Sequence, residues 1–120
     1  MNPIRVVLVD DNADFLDAAA ALLEHQGVSV VGRAASNADA LRRVGALHPD
    51  VALVDVELGA DSGFDLADAL HARRAAPVIL MSTHAEQDLA ELIDASPALG
   101  FLPKAAVSAA AIGAVLARAR

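Results

Sequence analysis

The sequence predicts an α/β fold, a doubly wound sheet of five parallel strands with helices on both faces. Three observations carry that expectation. Five short apolar runs recur along the chain: Ile4 to Val9, Val28 to Val31, Val51 to Val54, Val78 to Met81 and Leu99 to Leu102. Each is followed by a segment whose apolar residues repeat at helical spacing. The runs are mostly continuous and rich in β-branched residues, which suits strands buried on both faces of a parallel sheet between two helical layers. The 120 residues, 56% hydrophobic and 21% charged, suffice for one core and one domain over 1–120, and are too apolar for a disordered chain.

Taken in order, the first run leads into a helix with Phe15, Ala19, Leu22, Leu23 and Gln26 on its inner stripe and Gly27 as its stop. The second run alternates at Val28-Ser29-Val30, the pattern of an edge strand. Its helix starts near Asn37, turns Ala40, Leu41 and Val44 inward, and ends before Pro49. The third run is followed by a helix from about Gly63 with Leu66, Ala69 and Leu70 inward. A fourth helix places Leu89, Leu92 and Ile93 inward, and a fifth Ile112, Val115, Leu116 and Ala119. Right-handed crossovers between successive parallel strands give a doubly wound sheet, in which chemistry gathers at the carboxyl ends of the strands.

Composition narrows the function. Sixteen acidic residues against nine basic ones give a net charge of −7, which opposes contact with a phosphate backbone, so no direct nucleic-acid binding is expected of this domain. Three phenylalanines are the only aromatics, leaving few platforms for stacking bases or a flavin. The absence of cysteine excludes disulfides and thiolate metal sites and fits a reducing cytoplasm. The apolar runs are too short to span a bilayer, and no membrane partner is expected.

The strand ends carry the chemistry. Asp10 and Asp11 close the first run, Asp55 the third, Ser82 and Thr83 the fourth, and Pro103-Lys104 the fifth. Any one of these is an ordinary helix cap or turn residue. Their coincidence at one edge is what matters. If the first and third strands are neighbours, Asp10, Asp11 and Asp55 converge, and two carboxylates ~4 Å apart repel by about 4 kcal/mol at an effective dielectric of 20. Such a cluster needs protons or a countercharge. An all-oxygen donor set suits Mg²⁺, which also favours phosphate oxygens, whereas no histidine pair has zinc spacing. Asp55 beside a divalent cation and Lys104 is equipped to attack a phosphoryl group and form an acyl phosphate, with Ser82 donating to an equatorial oxygen.

These residues resemble the receiver domain of bacterial two-component response regulators over nearly the whole chain. The motifs are Val-Leu-Val-Asp10-Asp11-Asn12, Val-Ala-Leu-Val-Asp55 with Gly63 eight residues later, Pro77-Val-Ile-Leu-Met-Ser82, and Gly100-Phe101-Leu-Pro-Lys104. The resemblance implies a flavodoxin-like strand order of 2-1-3-4-5. It implies Asp55 as phosphoacceptor, a Mg²⁺ site from Asp10, Asp11, Asp55 and the Glu57 backbone carbonyl, Lys104 as phosphate contact, and Ser82 with Phe101 as switch residues. Phosphorylation is expected to draw Ser82 towards the phosphate and let Phe101 rotate inward. It further implies a histidine kinase or phosphotransfer protein as phosphoryl donor, and a homodimer through the fourth helix, fifth strand and fifth helix. Glu57 and His84, each two residues beyond a site residue, are expected to tune phosphoryl lifetime.

Two departures stand out. Gly59 replaces a proline common in the family, predicting a looser loop over 59–63. Lys104 is followed by Ala105 where many relatives have proline, predicting a trans bond and an altered approach of the lysine. Competing readings are an aspartate-nucleophile phosphatase, disfavoured by Asn12 at the general-acid position, and a nucleotide or flavin binder, disfavoured by the acidic loop Asp10 to Asp14. Within the family, the chain is either a stand-alone receiver or the regulatory domain of a helix-turn-helix transcription factor, with the second preferred.

Overall fold

The computed structural model describes residues 2–119. Its main sheet comprises β1 (Arg5–Val9), β2 (Ser29–Ala34), β3 (Val51–Asp55), β4 (Val78–Ser82) and β5 (Gly100–Pro103). The strands run parallel in the order 2-1-3-4-5, which is the order expected. β2 lies at one edge and runs three residues beyond the predicted Val31, with its register shifted opposite Val6 and Val7.

Alternation along the strands divides the core into two layers, because successive side chains point to opposite faces. Val7, Val9, Ala52, Val54 and Leu80 pack on one side against α2 (Asn37–Leu47) and α3 (Gly63–Ala72). Val6, Leu8, Leu53, Ile79 and Met81 pack on the other against α1 (Ala13–His25) and α5 (Ala109–Arg118). Asn12, Ser36, Ser62 and Ser108 cap these four helices, each side chain accepting from a backbone N–H of the first turn.

The helical stripes differ from expectation in three places. α1 buries Leu16, Ala19, Ala20 and Leu23 and leaves Leu22 and Gln26 exposed, since the packing against β1 and β2 rotates the buried face towards Leu16. Gln26 is not a core residue but accepts from Ala109 N at the start of α5, at 2.7 Å. The fourth helix is a 3₁₀ turn, Glu86–Leu89, running into α4 (Ala90–Ala95). It buries no residue fully: Leu89 and Ile93 are half-buried and Leu92 is 54% exposed, because six residues cannot carry a second inward turn. On α5, Ile112 and Val115 are buried and Leu116 half-buried, while Ala119 lies past the helix and is exposed. The outward face of α5 is alanine, at Ala110, Ala114 and Ala117.

Candidate functional site

Sheet register assembles the site. Val9 pairs with Val54, so Asp10 leaves β1 beside the last residue of β3, Asp55. Ser82 ends β4 opposite Pro103, and Lys104 follows at once in a 3₁₀ turn, Lys104–Ala106. All four polar residues therefore emerge at the carboxyl edge, although they are spread from position 10 to position 104.

The three carboxylates predicted to converge do so. One oxygen from each of Asp10, Asp11 and Asp55 lies within 4.8 Å of the others. Asp10 and Asp55 are buried, and Asp11 is exposed at the mouth. Backbone donors fix the two buried groups: Asn12 N–H donates to Asp10 Oδ1 at 2.9 Å, and Glu57 N–H to Asp55 Oδ1 at 3.1 Å. Lys104 Nζ bridges them, 2.6 Å from Asp10 Oδ2 and 3.0 Å from Asp55 Oδ2. Among the described residues no peptide bond is cis, so the Lys104–Ala105 bond is trans as expected, and Lys104 reaches both carboxylates with alanine after it. The Phe15 ring lies under its ammonium, 4.7 Å from centroid to Nζ.

The electrostatics follow from burial. Desolvation pushes the Asp55 carboxyl above the usual carboxylate range, and the nearby Asp10 charge adds to it; the Glu57 N–H and Lys104 offset this only in part. For Lys104, burial acts downward, but its contacts with Asp10 and Asp55 prevail and hold it above the usual lysine range. The only countercharge to Asp10 Oδ2 among the described residues is the Lys104 ammonium, which it shares with Asp55. Three carboxylates with oxygens within 4.8 Å of one another, facing a single lysine, leave negative charge uncompensated and fit a hard divalent cation held by oxygen.

A cleft of about 680 Å³ opens over these groups, lined by Asp11, Asp55, Glu57, Gly59, Ser82 and Lys104. A groove of similar size near Pro3, Leu99 and Leu116 lies at the opposite edge of the sheet, away from this cluster. The 59–63 segment is not the loose loop expected. Glu57–Leu58 pairs with Asp61–Ser62 in a short antiparallel ladder, and Gly59 at φ +63° closes the turn between them. Glu57 and His84 stand together at the rim, Oε1 to Nδ1 3.2 Å, and the same Nδ1 is 3.3 Å from Ser82 Oγ. Ser82 Oγ also accepts from His84 N–H at 2.9 Å. Phe101 is buried in the α2 and α3 core layer, so the structure shows its inward position and not the outward one from which a rotation was expected to start.

Sequence reasoning missed two features. Phe15 reads as an ordinary helix-stripe residue, and nothing local to it signals a lysine 89 positions away. Asn37 and Asp61 also carry no motif, yet they join α2 to the loop beside the site.

Comparison with known proteins agrees with this geometry. The chain is 37% identical over 86 residues, 71% of its length, to a protein-glutamate methylesterase/protein-glutamine glutaminase of Symbiobacterium thermophilum, of which it covers 24%. It spans about a quarter to a half of the length of the curated relatives it matches most strongly. Its fold matches the signal receiver domain of NarL from Mycobacterium tuberculosis with a TM-score of 0.84 and 32% identity, covering 99% of this chain and 98% of that one. It also matches a Burkholderia pseudomallei response regulator solved with a phosphorylated aspartic acid, a calcium ion and citrate, with a TM-score of 0.77 and 28% identity over 94% of this chain and 66% of that one. The family model for the response regulator receiver domain matches residues 6–115, a span that takes in all four strand ends, and the chain belongs to that family of two-component signalling domains.

Proposed function

We propose that Asp55 accepts a phosphoryl group from a histidine kinase or phosphotransfer protein, with Mg²⁺ held by Asp10, Asp11, Asp55 and the Glu57 carbonyl. The observation that carries this reading is the Asp55 carboxylate, 3.0 Å from the lysine ammonium and with an oxygen within 4.8 Å of oxygens of Asp10 and Asp11. The solved relative with a phosphorylated aspartic acid and a calcium ion supports it by analogy.

Bound Mg²⁺ supplies positive charge against the phosphoryl oxygens. The chain's own residues do the rest. An Asp55 carboxylate oxygen forms the new bond to phosphorus as the bond to the donor's leaving group breaks, and the leaving group departs with that electron pair. Lys104, already 3.0 Å from Asp55, neutralises charge on the transferred group. Ser82, buried and bonded only through His84, offers its hydroxyl proton to a phosphoryl oxygen. Movement of Ser82 is the link to Phe101 and to the surface of α4, β5 and α5, a shift between two packings. Which output that surface governs belongs to the longer proteins in which such domains occur.

Incubation with acetyl phosphate tests this. Wild type with Mg²⁺ should gain about 80 Da on intact mass, the weight of one phosphoryl group. Asp55→Asn with Mg²⁺, and wild type with chelator, should gain nothing. A gain on Asp55→Asn would assign the modification elsewhere and end the proposal.

Glu57 and His84 form a pair across the rim of the cleft, and we propose that this pair sets phosphoryl lifetime by controlling water at the phosphorus. Glu57→Ala and His84→Ala should each change the decay of the phosphorylated protein by about tenfold, less than a full general acid or base contributes, as suits rim residues that only influence water. Decay curves that overlay the wild type would remove both residues from this role.

A further inference from the structure

We infer that Asn37 and Asp61 moor the β3–α3 loop to α2 and thereby act as positioning residues for the cation and phosphoryl site; this rests on the function proposed above. The loop cannot hold itself. Its ladder has two residue pairs and a glycine turn, and a hairpin of that length is marginal on its own. It nevertheless covers the site closely: a Cβ on Gly59 would stand 3.2 Å from Asp11 Oδ2, and Glu57 begins the same ladder.

The anchor is a two-way clasp with the first residue of α2. Asp61 Oδ2 accepts from Asn37 N–H at 2.9 Å, and Asn37 Nδ2 donates to the Ser62 carbonyl at 3.1 Å. The Asp61 carboxylate also sits at the amino terminus of α2, where the free N–H groups and the helix dipole favour a negative charge. Asn37 Oδ1 is buried with no donor. That cost is tolerated because the reverse orientation of the amide would set two oxygens against each other at Ser62. The clasp is separate from the capping of α2, where Ser36 Oγ accepts from Asp39 N–H. Helix α2 contributes no residue to the carboxylate cluster; besides its apolar packing on the sheet and α3, it is joined to the site's loop by the polar bonds of this clasp.

The test separates anchoring from stability. Mg²⁺ affinity is measured by calorimetric titration, alongside labelling by acetyl phosphate and thermal melting, for Asp61→Leu, Asn37→Ala, Asp61→Asn and Ser36→Ala. Asp61→Leu and Asn37→Ala should weaken Mg²⁺ binding by about tenfold, the usual effect of losing a group that orients a metal ligand. Asp61→Asn keeps the acceptor and should stay within about twofold of wild type. Ser36→Ala should lower the melting temperature through its lost cap yet leave Mg²⁺ affinity unchanged. Wild-type affinity in Asp61→Leu, or an equal loss in Ser36→Ala, overturns the inference. If wild type itself neither binds Mg²⁺ nor takes up phosphate, the proposed function fails first, and the clasp's role falls with it.

Discussion

Gly63→Ala should destabilise the protein by roughly 3 kcal/mol or more, the upper end of what overpacking costs. A Cβ built on Gly63 lies 2.0 Å from the Asp55 carbonyl oxygen, and 2.8 Å from both Asp55 C and Val56 Cα. These are backbone atoms at the end of the central strand, so no side chain can turn aside to make room. Relief requires α3 to back away from β3, and that motion strains the Gly63 N–H bond to the Val56 carbonyl, now 2.9 Å, and shifts Asp55 with it. Chemical denaturation followed by circular dichroism measures the loss, since the chain has no tryptophan or tyrosine to report by fluorescence. Gly113→Ala in α5 is the matched control. Outside its own helix turn no atom lies within 4 Å of the added methyl, and alanine's helix propensity should stabilise by about 0.5–1 kcal/mol. Equal effects at the two positions would show that the contact at β3 is not what requires glycine.

Lys104→Met should cost about 3–5 kcal/mol in the absence of divalent cation, because it strips the countercharge from two buried carboxylates. For a chain of this length that corresponds to a fall of roughly 12 °C or more in melting temperature. The cause is electrostatic and therefore has a signature in pH. Asp55 has a raised pKa in the folded state, so its contribution is most favourable below the ordinary carboxylate range and declines as pH rises through the raised value. The deficit of Lys104→Met should accordingly shrink towards low pH, where the carboxylates become neutral, and shrink also on adding Mg²⁺. Lys104 in wild type has a raised pKa too, so its stabilisation persists through neutral pH and is lost only as pH passes above the usual lysine range. A deficit of the same size at all pH values and with or without Mg²⁺ would mean that the lost ammonium contact with the Phe15 ring, and not the carboxylates, is responsible.

Much of the fold was legible before any coordinates. A buried strand announces itself in four or five consecutive apolar residues, and the polar residue that ends it is local too, so Asp10, Asp55, Ser82 and Lys104 could be named as edge residues from the chain alone. The order of strands was not local; it came from the resemblance to receiver domains. Helical phase was read less well. Leu22 and Leu92 look inward on hydrophobicity, but the buried stripe of a helix is fixed by the surface it rests on, which took Leu16 in one case and offered α4 little in the other.

The alternation of strand and helix, the acidic character of one sheet edge and the family to which these motifs point can all be read along the chain, because each is written in residues close together in sequence. Folding in three dimensions adds that Lys104 bridges Asp10 and Asp55 over the ring of Phe15, that Gly63 presses on the backbone of Asp55, and that Asp61 reaches across to Asn37. Those contacts join residues from 8 to 94 positions apart, and their existence depends on register, crossover and packing, which no short stretch of sequence encodes.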